Sequence, residues 1–436
     1  MEIKVSLFGK KEDSIGWKEL FEQEKVPFQY RGENFEDFSL INILVGKTVK
    51  KIFKERNKIF IFEPSLKLGE DPLLSSNRFV LRKKNILKIS SHISSRVVFC
   101  PVDRNKTLRV LRDILIKAFN VANFPYIHIW YYPKNYPSIF LFRQDIDYVD
   151  QKGLENLLQI TKKFHIKGTY FINISGEEEF DEKLGPLNLS KPTTPERKKI
   201  LQRLLFEGNE IGNHGYWHWV FKDFKHNYQN IKRCSCYLKK LFSIIDRGFA
   251  APGAEWNFNL AKAIEKNRHI VYACNGLTNG GFPYYPYCNG RRTKVLEIPC
   301  SFFSDASQYI SLSDSEINFP KYEKELRNLY LSLIDQAIKN NEPIAILGHP
   351  SVVGRAAKKF FYPIFKKIKM LKIPSYTFYE FANWWKQREK IRISYKKVGD
   401  QLIIKANRYP VLVETIYGKK KSIIIINKRS IINLKK

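Results

Sequence analysis

No CxxC pair occurs anywhere in the sequence. Its six cysteines, Cys100, Cys234, Cys236, Cys274, Cys288 and Cys300, are scattered. Idle or buried thiols of a reducing compartment are therefore the expectation. Cys234 and Cys236, one residue apart in a helical stretch, are poorly placed to bridge or to share a metal. No window approaches the roughly 18 apolar residues of a membrane span. No basic segment leads into a long apolar stretch at the start, as it would in a signal peptide. The expected location is cytoplasmic, with charge available for peripheral attachment to a membrane. A phosphate loop and a GxGxxG turn are also missing, so no nucleotide site can be argued. Acidic residues are scarce, 43 Asp/Glu against 75 Lys/Arg, giving a formal charge of +32 and a pI near 9.7. Such an excess suits an anionic glycan or an acidic membrane surface. The charges fall as singlets and pairs without a nucleic-acid-binding motif, so no nucleic acid is expected.

What is present divides into three parts. At 436 residues the chain should hold two or three domains. Residues 1–130 mix short strand signals (Ile3–Phe8, Ser39–Val45, Lys58–Phe62, Phe79–Leu81, Arg96–Cys100) with helices at Ser14–Glu24 and Thr107–Val121. They read as a separate α/β domain of structural or substrate-orienting role. Residues 131–388 alternate strand and helix repeatedly, which argues for an α/β barrel. Residues 389–436 turn to short strands separated by Val398-Gly399-Asp400 and Tyr417-Gly418-Lys419, a small antiparallel sandwich-like unit. From Lys386 onward there are 15 Lys/Arg against three Asp/Glu. This basic unit is the expected contact for an anionic glycan or membrane surface.

The chemistry gathers at the ends of the barrel strands. Ile139-Phe140-Leu141-Phe142 is an apolar run without polar alternation, which reads as a strand buried on both faces. It leads into Asp145-Ile146-Asp147. Two acids there are costly unless a positive partner sits beside them. His214 and His218, four apart after the strand Asn209–Asn213, can grip one ion from one side of a turn. Two imidazoles and a carboxylate with open positions suit a catalytic divalent cation. His349 also follows a strand, in Leu347-Gly348-His349-Pro350. The other five histidines, His92, His128, His165, His226 and His269, sit beside no such constellation and read as structural.

Asp145-Ile146-Asp147, Glu210-Ile211-Gly212-Asn213-His214-Gly215-Tyr216-Trp217-His218, Gly248-Phe249-Ala250-Ala251-Pro252-Gly253 and Leu347-Gly348-His349-Pro350 come in the order and rough spacing of a known family. Residues 130–388 resemble the polysaccharide deacetylases, the NodB-homology domain of carbohydrate esterase family four. The resemblance implies a distorted (β/α) barrel of NodB-homology type, with the N-terminal α/β domain and the C-terminal antiparallel unit outside it. It implies hydrolysis of an N-acetyl group on an amino sugar, a carbon–nitrogen bond that is not a peptide. It further implies Asp145 as general base, Asp147, His214 and His218 as metal ligands and His349 as general acid. The implied metal is Zn²⁺, with Co²⁺, Ni²⁺ or Fe²⁺ as alternatives.

Two positions depart from the family pattern. Ile146 separates aspartates that are commonly adjacent, as in a subset of the family. Ala250 stands where an arginine usually orients the base, and Arg143 is a candidate to replace it. Trp217, Trp256 and Arg143 are the candidates for substrate contact, and Asp305 and Trp256 for the fourth motif. Two other functions compete: a hydrolase of another carbon–nitrogen bond, such as a cyclic amide, and an inactive basic glycan-binding module.

Overall fold

The computed structural model describes residues 4–11, 13–34, 38–45, 58–63, 73–75, 78–80, 104–147, 149–174, 194–275, 280–288, 291–300, 305 and 312–434. The expected strand at Arg96–Cys100 and His92 lie outside these. Contacts divide the chain into two compact units. One holds the described residues up to Asn135 and those from Trp384 on; the other holds Tyr136–Asn383.

The first unit opens with β1 (Val5–Phe8), α1 (Ile15–Glu24), β2 (Gln29–Gly32), β3 (Ile41–Val45), β4 (Ile59–Glu63), β5 (Leu73–Ser75), β6 (Arg78–Val80), α2 (Arg104–Val121) and β7 (Tyr126–Ile129). The sheet runs β2-β1-β3-β4-β6-β5, parallel except where β5 meets β6. Leu108, Leu111, Leu115 and Phe119 form one face of α2 and join Val5, Leu7, Ile41 and Ile43 in a common core.

The second unit contains β8 (Phe140–Ile146), α3 (Gln151–Phe164), β9 (Gly168–Ile172), α4 (Pro195–Phe206), β10 (Glu210–Asn213), α5 (Phe224–Phe242), β11 (Gly248–Phe249), α6 (Phe258–Lys266), β12 (Tyr272–Ala273), β13 (Tyr287–Cys288), β14 (Arg291–Arg292), β15 (Leu296–Glu297), α7 (Leu312–Asn340), β16 (Ile344–Gly348), α8 (Pro350–Val353), α9 (Ala357–Met370), β17 (Ser375–Tyr376) and α10 (Phe378–Glu389). Seven parallel strands run β15-β12-β11-β10-β9-β8-β16, with β17 beside the start of β8. This is an open, distorted (β/α) barrel, as the strand–helix alternation predicts. Every residue of β8 is buried, because one face meets the helices and the other fills the interior. Phe140 and Phe142 pack outward with Phe361 and Phe365 of α9. Ile146, Ile172 and Ile211 join the outward cluster with Leu154 and Leu158 of α3, Leu201 and Leu204 of α4, and Leu238 of α5. The intervening side chains Arg143, Asp145 and Asp147 therefore face the interior. Gly212 keeps that interior open: a Cβ there would lie 2.5 Å from the Phe171 ring.

The C-terminal strands β18 (Ile393–Val398), β19 (Gln401–Ala406), β20 (Val411–Tyr417), β21 (Lys420–Ile426) and β22 (Arg429–Asn433) return to the first unit. They form two antiparallel three-stranded sheets, β18-β19-β22 and β21-β20-β7. Ile127, Ile129, Ile393, Leu402, Ile404, Val413 and Ile426 share their core. The sequence suggests separate first and last parts, whereas contacts group them. The cause is β7, whose partner is β20, with Val413 opposite Ile129. Among the described residues no helix is long and apolar enough to cross a membrane.

One half-buried acid should make the second unit's stability pH-dependent. Glu210, at the start of β10, accepts from Thr169 Oγ1 at 2.8 Å, Tyr272 Oη at 2.8 Å and the Tyr379 amide at 3.0 Å. Burial outweighs these hydrogen bonds and pushes its carboxyl from 4.5 up to about 7. The folded state thus holds the proton more tightly than the unfolded chain. This stabilising contribution is complete below about pH 4.5 and is lost as pH rises through about 7. Urea denaturation across that window should show falling stability in the wild type and a flatter profile in Glu210→Gln. An unchanged slope in the variant would assign the dependence to other groups.

Candidate active site

The two carboxylates differ in what they meet. Arg143, Asp145 and Asp147 alternate along one face of β8 and its exit. Arg143 grips Asp145 with both prongs, Nε to Oδ1 at 2.7 Å and Nη2 to Oδ2 at 2.6 Å. Its remaining nitrogen Nη1 donates to the Cys274 carbonyl at 2.7 Å, and its guanidinium lies 5.2 Å from the centre of the Phe171 ring. This bidentate pair is rigid and fully desolvated. Burial alone would raise the Asp145 pKa, but Arg143, with smaller help from His214 and His349, holds it below the usual range.

Asp147 instead meets imidazoles. Its Oδ1 lies 3.2 Å from His214 Nε2 and 3.0 Å from His218 Nε2. All three donor atoms fall within 4.8 Å of one another, and this is the one His/Cys/Asp/Glu cluster of metal-holding geometry among the described residues. Asp147 Oδ1 and His214 Nε2 are buried without hydrogen-bond partners among the described residues. Orphaned lone pairs that converge on one point fit a divalent cation better than they fit each other. His214 Nδ1 lies 2.9 Å from the Ala250 carbonyl. Donation of Nδ1–H there leaves Nε2 as the free lone pair. Despite burial, the imidazoles hold the Asp147 carboxyl well below the ordinary range, His218 first.

His218 rides on a short loop that α5 secures. Asn230 Oδ1 accepts from the amides of Tyr216 and Trp217 at 2.6 and 2.9 Å, and its Nδ2 donates to the Trp219 carbonyl at 2.8 Å. Gly215 has φ +81°, and a Cβ there would press on the Asn230 carboxamide at 2.9 Å. His218 itself takes a left-handed φ of 42°, a strained conformation of the kind found at ligand clamps.

His349 follows β16 directly and occupies the N-cap position of α8. Its Nδ1 lies 2.7 Å from Asp305 Oδ1, and its backbone amide donates to Asp305 Oδ2 at 2.7 Å. Asp305 is fully buried. Nε2 is then the outward nitrogen, 3.8 Å from Asp147 Oδ2. Burial disfavours the imidazolium, but Asp305, then Asp147 and Asp145, outweigh it and raise the pKa from 6.5 to about 9.

The structure thus brings Arg143, Asp145, Asp147, His214, His218, Asp305 and His349 together. It does not bring in Trp256, which is buried among Val220, Ile231, Phe249 and Leu260. Trp217 is partly buried against Tyr216 and Phe221, with Arg233 over its ring at 5.0 Å. His128 instead contacts Glu414, His226 contacts Asp223, and His269 contacts Asp246. Asn230, which holds the His218 loop, has no motif of its own in the sequence.

The family model for polysaccharide deacetylase matches residues 139–270. That stretch is a polysaccharide deacetylase domain, and it includes Asp145, Asp147, His214, His218 and Ala250. Among solved structures, the chain is similar to a Mycobacterium smegmatis protein assigned, without a stated substrate, to the polysaccharide deacetylases. The identity is 17%, covering 60% of this chain and 94% of that one, with a TM-score of 0.47. It is also similar to the chitin deacetylase of Colletotrichum lindemuthianum, at 12% identity over 57% of this chain and 88% of that one, TM-score 0.38. A third likeness is to a pseudoenzyme of carbohydrate esterase family four from Bacillus anthracis, at 14% identity over 57% and 66%, TM-score 0.33. No curated protein matches the chain.

Proposed function

We propose that the barrel unit removes N-acetyl groups from an amino-sugar-containing saccharide, using one divalent cation, most simply Zn²⁺, held by Asp147, His214 and His218. The carrying observation is the convergence of three donor atoms, two of them buried and unpartnered among the described residues, with Asp145 and His349 each within 3.8 Å of the cluster. When bound there, the cation would polarise an amide carbonyl and acidify a water.

The chain's own groups supply the proton transfers. Asp145 accepts the proton of the attacking water. Arg143 occupies one lone pair on each oxygen, which leaves the others available and keeps the group ionised at neutral pH. That costs basicity but fixes the aim. His349 donates its Nε2 proton to the departing nitrogen, because an amine leaves poorly as an anion. Asp305 holds the ring so that this proton faces the cluster. Arg143 thus takes the place of the arginine that Ala250 does not provide, which weakens the case for an inactive module.

The test is acetate release from an N-acetylglucosamine oligomer. The protein should be inactive after chelation and active again on Zn²⁺ addition. Metal binding without acetate release from any N-acetylated saccharide would favour another carbon–nitrogen bond. Failure to bind metal would favour the binding-module reading.

A further inference from the structure

Among the described residues, Asn173 stands in the layer of Asp147 and His214 with nothing to bond to. It follows β9 directly. Ile172 and Ile174, on either side, belong to the outward cluster against the helices. The Asn173 side chain therefore faces the other way, into the barrel interior. Ile146, Ile172 and Asn213 are in register across β8, β9 and β10. One residue further, Asp147, Asn173 and His214 form a row, with neighbouring strands about 4.8 Å apart. The ladder continues past this row: the His214 amide donates to the Ile172 carbonyl at 3.0 Å, and the Ile174 amide to the Tyr216 carbonyl at 3.2 Å. The backbone of Asn173 is pinned on both sides of its side chain.

Asn173 is 2% exposed. Neither its Oδ1 nor its Nδ2 has a hydrogen-bond partner among the described residues. A buried amide without partners costs stability, and an apolar residue of the same shape would not. A neutral group that can donate and accept together suits a partner carrying N–H, C=O or O–H, and does not suit an apolar group. Unpartnered atoms in the row of two candidate ligands therefore call for a polar group that arrives with the substrate.

We propose that Asn173 contacts the substrate, hydrogen-bonding the N-acetylated sugar beside the acetamide that reacts. This rests on the deacetylase reading. It adds a contact just past β9 that distinguishes an amide-bearing sugar from a simple acetyl ester.

The test uses the full chain with Asn173→Leu, close in shape, and Asn173→Ala as a second variant. The readouts are melting temperature, zinc affinity, acetate release from an N-acetylglucosamine oligomer, and hydrolysis of p-nitrophenyl acetate. In the Leu variant the melting temperature should hold or rise, and zinc affinity and ester hydrolysis should be unchanged. The kcat/KM for the oligomer should fall about tenfold to a hundredfold in both variants. Unchanged oligomer activity would overturn the proposal. So would a lower melting temperature in the Leu variant, which means a structural role, or weaker zinc binding, which makes Asn173 a ligand. If the wild type releases no acetate, the deacetylase reading fails separately, and binding decides Asn173. An oligomer-induced rise in melting temperature that the Leu variant loses would support the contact; an equal rise, or none in either, would overturn it.

Discussion

Asp145→Asn should keep its metal and lose turnover by about 10²- to 10⁴-fold, whereas Asp147→Asn should lose the metal itself. The sequence places the two acids two residues apart and leaves their roles to resemblance. The geometry separates them. Asp147 offers one oxygen to both imidazoles at 3.2 and 3.0 Å. Asp145 has both oxygens on Arg143 and comes only within 3.8 Å of His214. An amide at 145 preserves shape but cannot accept the water's proton, and it leaves one prong of Arg143 facing an N–H. An amide at 147 removes the charge that balances a dication among buried groups. Zinc content and acetate release, measured on the same preparations, separate the outcomes. If Asp145→Asn empties the site and Asp147→Asn stays loaded, the roles are reversed. If both variants keep metal and activity, the deacetylase reading fails.

Much of this site was legible because period 2 is a strong signal. The apolar run of β8 announces a buried strand, and Arg143, Asp145 and Asp147 fall on alternate residues of it. That spacing alone puts the guanidinium beside Asp145. Asn173 carries the same kind of signal, a polar residue between two isoleucines at a strand exit, but it lacks a charge to draw attention. Asp305 could not be placed from sequence with any force, since 44 positions separate it from His349 and no local pattern links them. The short strands β11, β12 and β15 show only two laddered residues each, so longer apolar stretches there overstate strand length. The alternating strands of the C-terminal part are plain in the sequence. Their pairing with β7 is not, because register between distant strands depends on tertiary packing.

His349→Ala should keep its metal and lose about 10²- to 10⁴-fold on an N-acetylated saccharide, while sparing an activated acetyl ester. The two substrates share the attack of water on an acetyl carbon. They differ in the departing group: an amine must be protonated to leave, and a phenolate need not be. The split therefore isolates the proton donor from the rest of the machinery. Asp305→Asn probes the same proton from behind. Asp305 is the foremost charge raising the His349 pKa, and it also orients the ring through Nδ1 at 2.7 Å. Removing that charge makes the imidazolium easier to deprotonate, so the high-pH limb of amide hydrolysis should move to lower pH. A bound dication shifts both proteins in that same direction, which leaves the order of the two profiles unchanged. A pH series of kcat on the N-acetylglucosamine oligomer reads this displacement directly. Equal loss on ester and amide in His349→Ala would remove the residue from the role of acid. An unmoved limb in Asp305→Asn would show that the ring draws its proton affinity from Asp147 and Asp145 instead.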